Sequence, residues 1–188
     1  MAHEGALPKI QRHITTHDAD GKAIFSDTVQ TESVMNGLEK AENMGFALSY
    51  VTKGFPVDLN EEADIKSYQP FLHNTPGLSV TGGSVLRHVD FPPNNTPLMH
   101  RTISIDYGVV LEGEVELILE DVENGERRIM KRGDVCVQRA TMHAWRNTSS
   151  TEWARMLFVL LPAKDLVVEG NKLGEELGTA KGVIKESH

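Results

Sequence analysis

The stretch His100-Arg101-Thr102-Ile103-Ser104-Ile105-Asp106 decides how the rest of this 188-residue chain is read. In an extended strand, alternate side chains share a face. His100, Thr102, Ser104 and Asp106 therefore form one row, and Ile103 and Ile105 lie on the other face. That division makes sense when the polar row lines a cavity and the isoleucine row packs between two sheets. A second histidine follows the turn Arg132-Gly133-Asp134, in Thr141-Met142-His143-Ala144-Trp145-Arg146-Asn147, where His143, Trp145 and Asn147 share a face. Two imidazoles and the Asp106 carboxylate on neighbouring strands have two uses: they hold a divalent metal, or they act as general base and acid.

Outward from these motifs, short alternating runs are separated by turn residues at a spacing of about ten residues, the pattern of a sandwich or barrel rather than of a parallel α/β sheet. Asp18-Ala19-Asp20-Gly21 separates Ile10–Thr16 from Lys22–Ser26 and predicts a hairpin. Thr31–Asn43 reads as a loop or short helix, Phe46–Thr52 as a strand, and Asp58–Gly77 as a connection with at most one helical turn. Ser84–Phe91, Val115–Glu120, Arg127–Met130, Val135–Gln138, His143–Thr148 and Ala154–Leu161 are strands, with a hairpin turn at Asn124-Gly125. The Gly-bearing tail is expected to hold a short helix near Asn171–Leu177 and mobile last residues.

Lys and Arg number 19 against 27 Asp and Glu, a net charge of −8, which argues against nucleic acid as the partner. The single cysteine excludes an intrachain disulfide and favours a reducing compartment. The N-terminal residues show no secretion-type apolar core. The longest apolar run, Met156–Leu161, is far too short for a membrane span. A cytoplasmic protein acting on a small molecule is expected.

Other residues are placed relative to the motifs. His88 and Asp90 share a face of Ser84–Phe91 and are expected to border the cavity, with His88 contacting substrate and Arg87 opposite. Arg139, before His143, is placed at the cavity mouth to pair with a carboxylate, with a solvated loop arginine as the alternative. Trp145 reads as cavity wall. Tyr107 offers a phenol to an oxyanion, with packing as the alternative. Ser104 is a substrate donor or a small filler. Asp106 has the alternative of ending its strand as a turn cap, and Cys136 reads as buried and inert.

The order and spacing of these motifs, over about Leu78–Pro162, resemble the cupin superfamily of jelly-roll β-barrels. His100 matches the first histidine of the first cupin motif, Thr102 stands at the second, Asp106 takes the glutamate place and Gly113 the glycine place. Gly133-Asp134, His143 and Asn147 match the second motif, while Gln138 and Ala140 replace its proline and glycine. The runs around His100, Asp106-Tyr107 and His143-Ala144-Trp145-Arg146-Asn147 are also similar to small single-domain cupins of fungal biosynthetic gene clusters and bacterial relatives.

The resemblance implies an all-β, cupin-type jelly-roll barrel. Residues 78–162 would form the core, residues 1–77 an N-terminal hairpin and connection packing on it, and residues 163–188 a tail, within one structural domain. It implies one divalent metal (iron, zinc or manganese) on His100, Asp106 and His143, or none, because Thr102 leaves the ligand set incomplete. It also implies a homodimer built through sheet faces and exchanged N-terminal strands. The expected function is lyase-like: decarboxylation or dehydration of a keto acid or polyketide-type intermediate. His100 and His143 would move the proton, Asp106 would orient one of them, and Thr102, Tyr107, Arg139 or a metal would stabilise the enolate. A non-haem iron dioxygenase and a non-catalytic ligand-binding cupin are the alternatives.

Overall fold

The computed structural model describes residues 7–187. In chain order the strands are β1 (Ile10–Gln11), β2 (Thr15–His17), β3 (Ala23–Phe25), β4 (Glu32–Ser33), β5 (Asn36–Leu38) and β6 (Met44–Lys53). Helix α1 (Ala63–His73) follows, then β7 (Gly83–Phe91), β8 (Ser104–Glu112), β9 (Glu114–Leu119), β10 (Arg127–Lys131), β11 (Val135–Arg139), β12 (His143–Asn147) and β13 (Ala154–Pro162). β14 (Leu166–Val168) and β15 (Asn171–Leu173) close the series. A six-stranded antiparallel sheet, ordered β11-β8-β13-β7-β6-β5, faces a three-stranded sheet, β10-β9-β12. The fold is all-β, a jelly roll.

The core lies between the two sheets. Val85, Val89 and Phe91 of β7, Val110 of β8, and Met156, Phe158 and Leu160 of β13 meet Val115 of β9, Met130 of β10 and Trp145 of β12. Glycine is required where backbone and side chains crowd. A Cβ on Gly108 would lie 2.9 Å from the Phe158 ring, so its absence admits that ring to the interior. Gly113 turns β8 into β9 with φ +75, and a Cβ there would meet Ala154 at 3.0 Å.

Several elements differ from expectation. Asp58–Gly77 contains the eleven-residue helix α1, because Ile65 and Tyr68, three apart, both bury against the sheet. The Tyr68 hydroxyl accepts a hydrogen bond from Arg12 at 2.6 Å, and Tyr50 donates to Asp64 at 2.5 Å, fastening the helix on both sides. Residues 36–53 carry two strands of the large sheet, so residues 1–77 do more than pack on a finished barrel. The short helix expected at Asn171–Leu177 is absent; β14 and β15 pair as a hairpin instead. Asn124-Gly125 is not a two-residue turn: it lies in a longer loop in which Asp121 Oδ1 accepts from the Glu123 and Asn124 amides. The Asp18-to-Gly21 turn forms as expected, with Asp18 Oδ1 accepting from the Asp20 and Lys22 amides. Among the described residues no helix is long and apolar enough to cross a membrane.

The outer face of β6, β7 and β13 is covered by the N-terminal segment and holds a buried ion pair. Asp90, fully buried, accepts from Arg155 Nε at 2.5 Å and Nη2 at 2.7 Å, and Arg155 Nη1 donates to the Pro8 carbonyl at 2.7 Å. The pair is opposed across β7 and β13 and ties the chain start to the sheet. Asp90→Ala strands a buried cation and is expected to lower the unfolding free energy by about 3–5 kcal/mol in urea titrations. The double replacement Asp90→Leu with Arg155→Met should recover most of that loss. Equal losses in the single and double variants would contradict this account.

Candidate active site

His100 and His143 are brought together by their backbones. The His100 amide donates to the His143 carbonyl, and the His143 amide donates to the His100 carbonyl, both at 2.9 Å. This reciprocal pair stitches residue 100 to β12 in the small sheet, whereas Ser104 onward runs in the large sheet. The chain therefore crosses from one sheet to the other between residues 101 and 103. The two imidazole rings stand 4.4 Å apart between centroids.

Each ring is held by the carbonyl two residues upstream. Nδ1 of His100 donates to Leu98 O at 2.8 Å, and Nδ1 of His143 to Thr141 O at 3.0 Å. That places the proton on Nδ1 and leaves Nε2 of each ring with a free lone pair. Burial holds both rings neutral. His143 is pushed down to about 3 by burial and by the neighbouring His100, opposed by its hydrogen bond to Thr141. His100 is lowered by burial against the opposing Leu98 hydrogen bond and the Glu175 charge.

A small cavity lies against this pair. Its apolar walls include Phe46, Val89, Phe91, Trp145 and Phe158, and its polar groups are His100, His143, Thr102, Asp106 and Arg87. Trp145 packs edge-on against both His143 and Phe158, with centroids 5.7 and 5.5 Å away. Asn147 locks the end of β12: its amide donates to Asn95 Oδ1 at 2.7 Å and its Nδ2 to Glu152 O at 2.7 Å. The C-terminal segment completes the wall. Arg101 and Glu176 exchange backbone hydrogen bonds, Thr179 Oγ1 accepts from the Met99 amide at 2.7 Å, and Ile184 reaches the cavity. The described end of this tail is fastened, with Ser187 Oγ donating to Glu175 at 2.6 Å.

The row anticipated at residues 100–106 is buried at every polar position: His100, Thr102, Ser104 and Asp106. Thr102 and Asp106 line the cavity with His100. Ser104 is buried beside them, but its Oγ, like Asp106 Oδ1, completes no hydrogen bond. Burial raises Asp106 to about 6, against the lowering influence of nearby Ser104 and Arg87.

Three expected site residues lie elsewhere. His88 faces outward, its Nδ1 2.8 Å from Ser49 Oγ under the N-terminal segment, and Arg87 takes the cavity side of β7. β7 is covered on both faces, so its polar row does not mark the cavity. Tyr107 is 43% exposed on the outer face, opposite Val137 and Val159. Arg139 is exposed at the end of β11 and is not part of the cavity wall; Gln138, its buried neighbour, turns inward and donates to Thr141 O at 3.2 Å. Alternation places Arg87 opposite His88 and Asp90, as observed, but polarity points to the wrong face of β7 as the cavity face; the odd-numbered apolar row Val85, Val89 and Phe91 is the signal that finds Arg87. Cys136 is half-buried, and burial raises its thiol pKa.

The three-ligand metal centre expected at His100, Asp106 and His143 does not fit this geometry. Among the described residues no three His, Cys, Asp or Glu side chains stand close enough to hold one ion. The histidines belong to the small-sheet side and Asp106 to the large sheet, and the short aspartate side chain stands where the family places the longer glutamate.

Comparison with known proteins agrees with this architecture. The cupin-domain family model (Cupin_2) matches residues 87–160. Oryzines biosynthesis cluster protein J of Aspergillus oryzae is 43% identical over 182 residues, covering 95% of this chain and 97% of that protein. Phomopsin biosynthesis cluster protein C' of Diaporthe leptostromiformis is 49% identical over 170 residues, 89% of this chain and 86% of that one. The cupin-domain-containing oxidoreductase fogC of Aspergillus ruber is 42% identical over 178 residues, covering 92% and 82%.

The buried neutral histidines make stability pH-dependent. A histidine whose pKa is lower in the folded state contributes stability that is intact above its unfolded value, near 6.5, and lost as pH falls through the folded one. His143 (about 3), His88 (about 4) and His100 all act in this sense, whereas Asp106, raised to about 6, acts oppositely between pH 6 and 3.8. Stability should therefore fall on acidification below pH 6.5. In His143→Gln the slope should be shallower by about 1.4 kcal/mol per pH unit, measured by urea unfolding at stepped pH. An unchanged slope would show that His143 is not held neutral by the fold.

Proposed function

Because this chain belongs to the cupin family, among relatives drawn from secondary-metabolism gene clusters, we propose that it is an enzyme whose His100 and His143 take a proton from a small organic substrate bound in the cavity. The observation that carries this reading is the pair of neutral imidazoles with both Nδ1 atoms spent on carbonyls. Each ring offers only a lone pair, so each is a base and neither is an acid in the resting site. The apolar walls reduce the access of water and so strengthen the electrostatic interactions of a developing charge. The Thr102 hydroxyl, buried on the cavity wall, is available to an oxyanion. One ring abstracts a proton next to a carbonyl and the imidazolium so formed returns it to the departing hydroxyl, so that water is lost; or the ring takes the proton of a neutral carboxyl group and returns it to the carbanion that the departure of carbon dioxide leaves, and this is the lyase chemistry these parts support. Protonation of one ring disfavours protonation of the other at 4.4 Å, so the pair handles one proton at a time.

A second reading is favoured by the name that four relatives share, cupin-domain-containing oxidoreductase: oxygen-dependent oxidation in the same cavity. Turnover of extracts from the neighbouring biosynthetic pathway, run with and without oxygen and beside metal analysis of the purified protein, separates the two. Oxygen-independent turnover removes the oxidative reading. Under the proton-transfer reading, His143→Gln and His100→Gln each lower turnover by about 10²–10⁴-fold while melting cooperatively. Full turnover in either variant would refute the role given to that ring.

A further inference from the structure

The proton-transfer reading leaves one cavity group unused. Arg87 is 8% exposed and stands in an apolar wall with Phe46, Val89 and Leu160. Its only hydrogen bond among the described residues runs from Nη2 to the Gly77 carbonyl at 2.6 Å, and its Nε has no partner. Asp106 acts on it as a neighbouring charge rather than as an ion-pair partner, and the Phe46 ring lies 5.9 Å from its guanidinium carbon. Burial lowers its pKa to about 10, so it remains a cation at neutral pH. A desolvated cation with no carboxylate at hydrogen-bond distance is costly to hold, and such groups concentrate where a ligand supplies a direct partner.

Its position adds direction. Arg87, Phe46 and Ile184 line both the cavity and a surface groove of about 1010 Å³, counted into open solvent, between β5, β6, the end of α1 and the C-terminal segment. In a chain of net charge −8, no Asp or Glu among the described residues lines this groove, whereas His73, Lys185 and Arg87 do. Lys185 Nζ donates to the Thr75 carbonyl at 3.1 Å and has no acidic partner among its hydrogen bonds.

We propose that Arg87 anchors a carboxylate of the substrate at the junction between this groove and the cavity, so that the enzyme acts on carboxylic acids rather than on neutral metabolites. The inference rests on the cavity being the substrate site. A guanidinium presents a planar fork that matches a carboxylate. A phosphate dianion would need more donors than one arginine in an apolar wall provides. The aromatic walls around it suit the organic remainder of an acid, which then extends toward His100 and His143.

Binding of benzoate, its neutral isostere benzamide, and inorganic phosphate tests this without any turnover, by thermal shift and tryptophan fluorescence titration. The wild-type protein is expected to bind benzoate saturably at millimolar concentration and to bind benzamide and phosphate more weakly. Arg87→Met should weaken benzoate by about tenfold or more and leave benzamide unchanged. If Arg87→Met does not fold, Arg87→Gln, which keeps a donor for the Gly77 carbonyl, is read the same way. A purely structural role would weaken both ligands alike. Benzoate affinity unchanged in the variant, equal wild-type affinity for benzoate and benzamide, preference for phosphate, or no saturable benzoate binding would each overturn the proposal. His143→Gln must keep benzoate affinity, so failure of the anchor and failure of the proton-transfer reading are distinct results.

Discussion

The reciprocal hydrogen bonds between the backbones of His100 and His143 are the constraint on which the site depends. They fix residue 100 to the small sheet and oblige the next few residues to cross to the large one. The same contact sets the rings side by side at 4.4 Å, with each Nδ1 committed to a carbonyl on its own segment. Ring orientation thus follows from main-chain geometry rather than from a carboxylate partner. Asp106 is left on the far wall, with Arg87.

The cavity consequently has two electrostatic halves. One wall carries two neutral bases whose charging is opposed by burial and by each other. The other carries a cation and a carboxyl group whose ionisation burial disfavours. Water would blunt this contrast, and the aromatic lining and the C-terminal segment reduce its access. The buried Asp90–Arg155 pair sits behind the same sheet and holds the N-terminal segment in place, so the outer layer stabilises the strand that presents Arg87 inward.

Much of this was legible in the residues. Alternation from His100 to Asp106 identified a buried polar row, and the second motif identified His143 and Trp145 as buried residues that line the same cavity. The failures share a cause. Polarity locates the cavity face only when the other face meets water or is plainly apolar, and β7 is covered on both sides. His88 and Asp90 face the N-terminal segment, where Ser49 and Arg155 satisfy them, and Arg87, on the opposite face, is the residue that meets the cavity. Tyr107 and Arg139 look chemical in type but alternate outward. Helix α1 was missed because its buried stripe, Ile65 and Tyr68, is short and interrupted by polar residues and Pro70. No local pattern could have announced the C-terminal segment's place at the cavity, since that depends on pairing with Met99 and Arg101, some 75 residues away.

Dividing the site between two sheets has a mechanical corollary. The histidines ride on one layer and the cation on the other, with deformable side chains and the void between them. Compressing the sandwich changes their separation, whereas the spacing of the two histidines is pinned by covalent and hydrogen-bonded geometry. Hydrostatic pressure, which acts on internal voids, therefore perturbs the reach between the walls before it perturbs the imidazole pair. The activation volume of the reaction becomes a property of how the layers are spaced, and core substitutions remote from every cavity group can tune it.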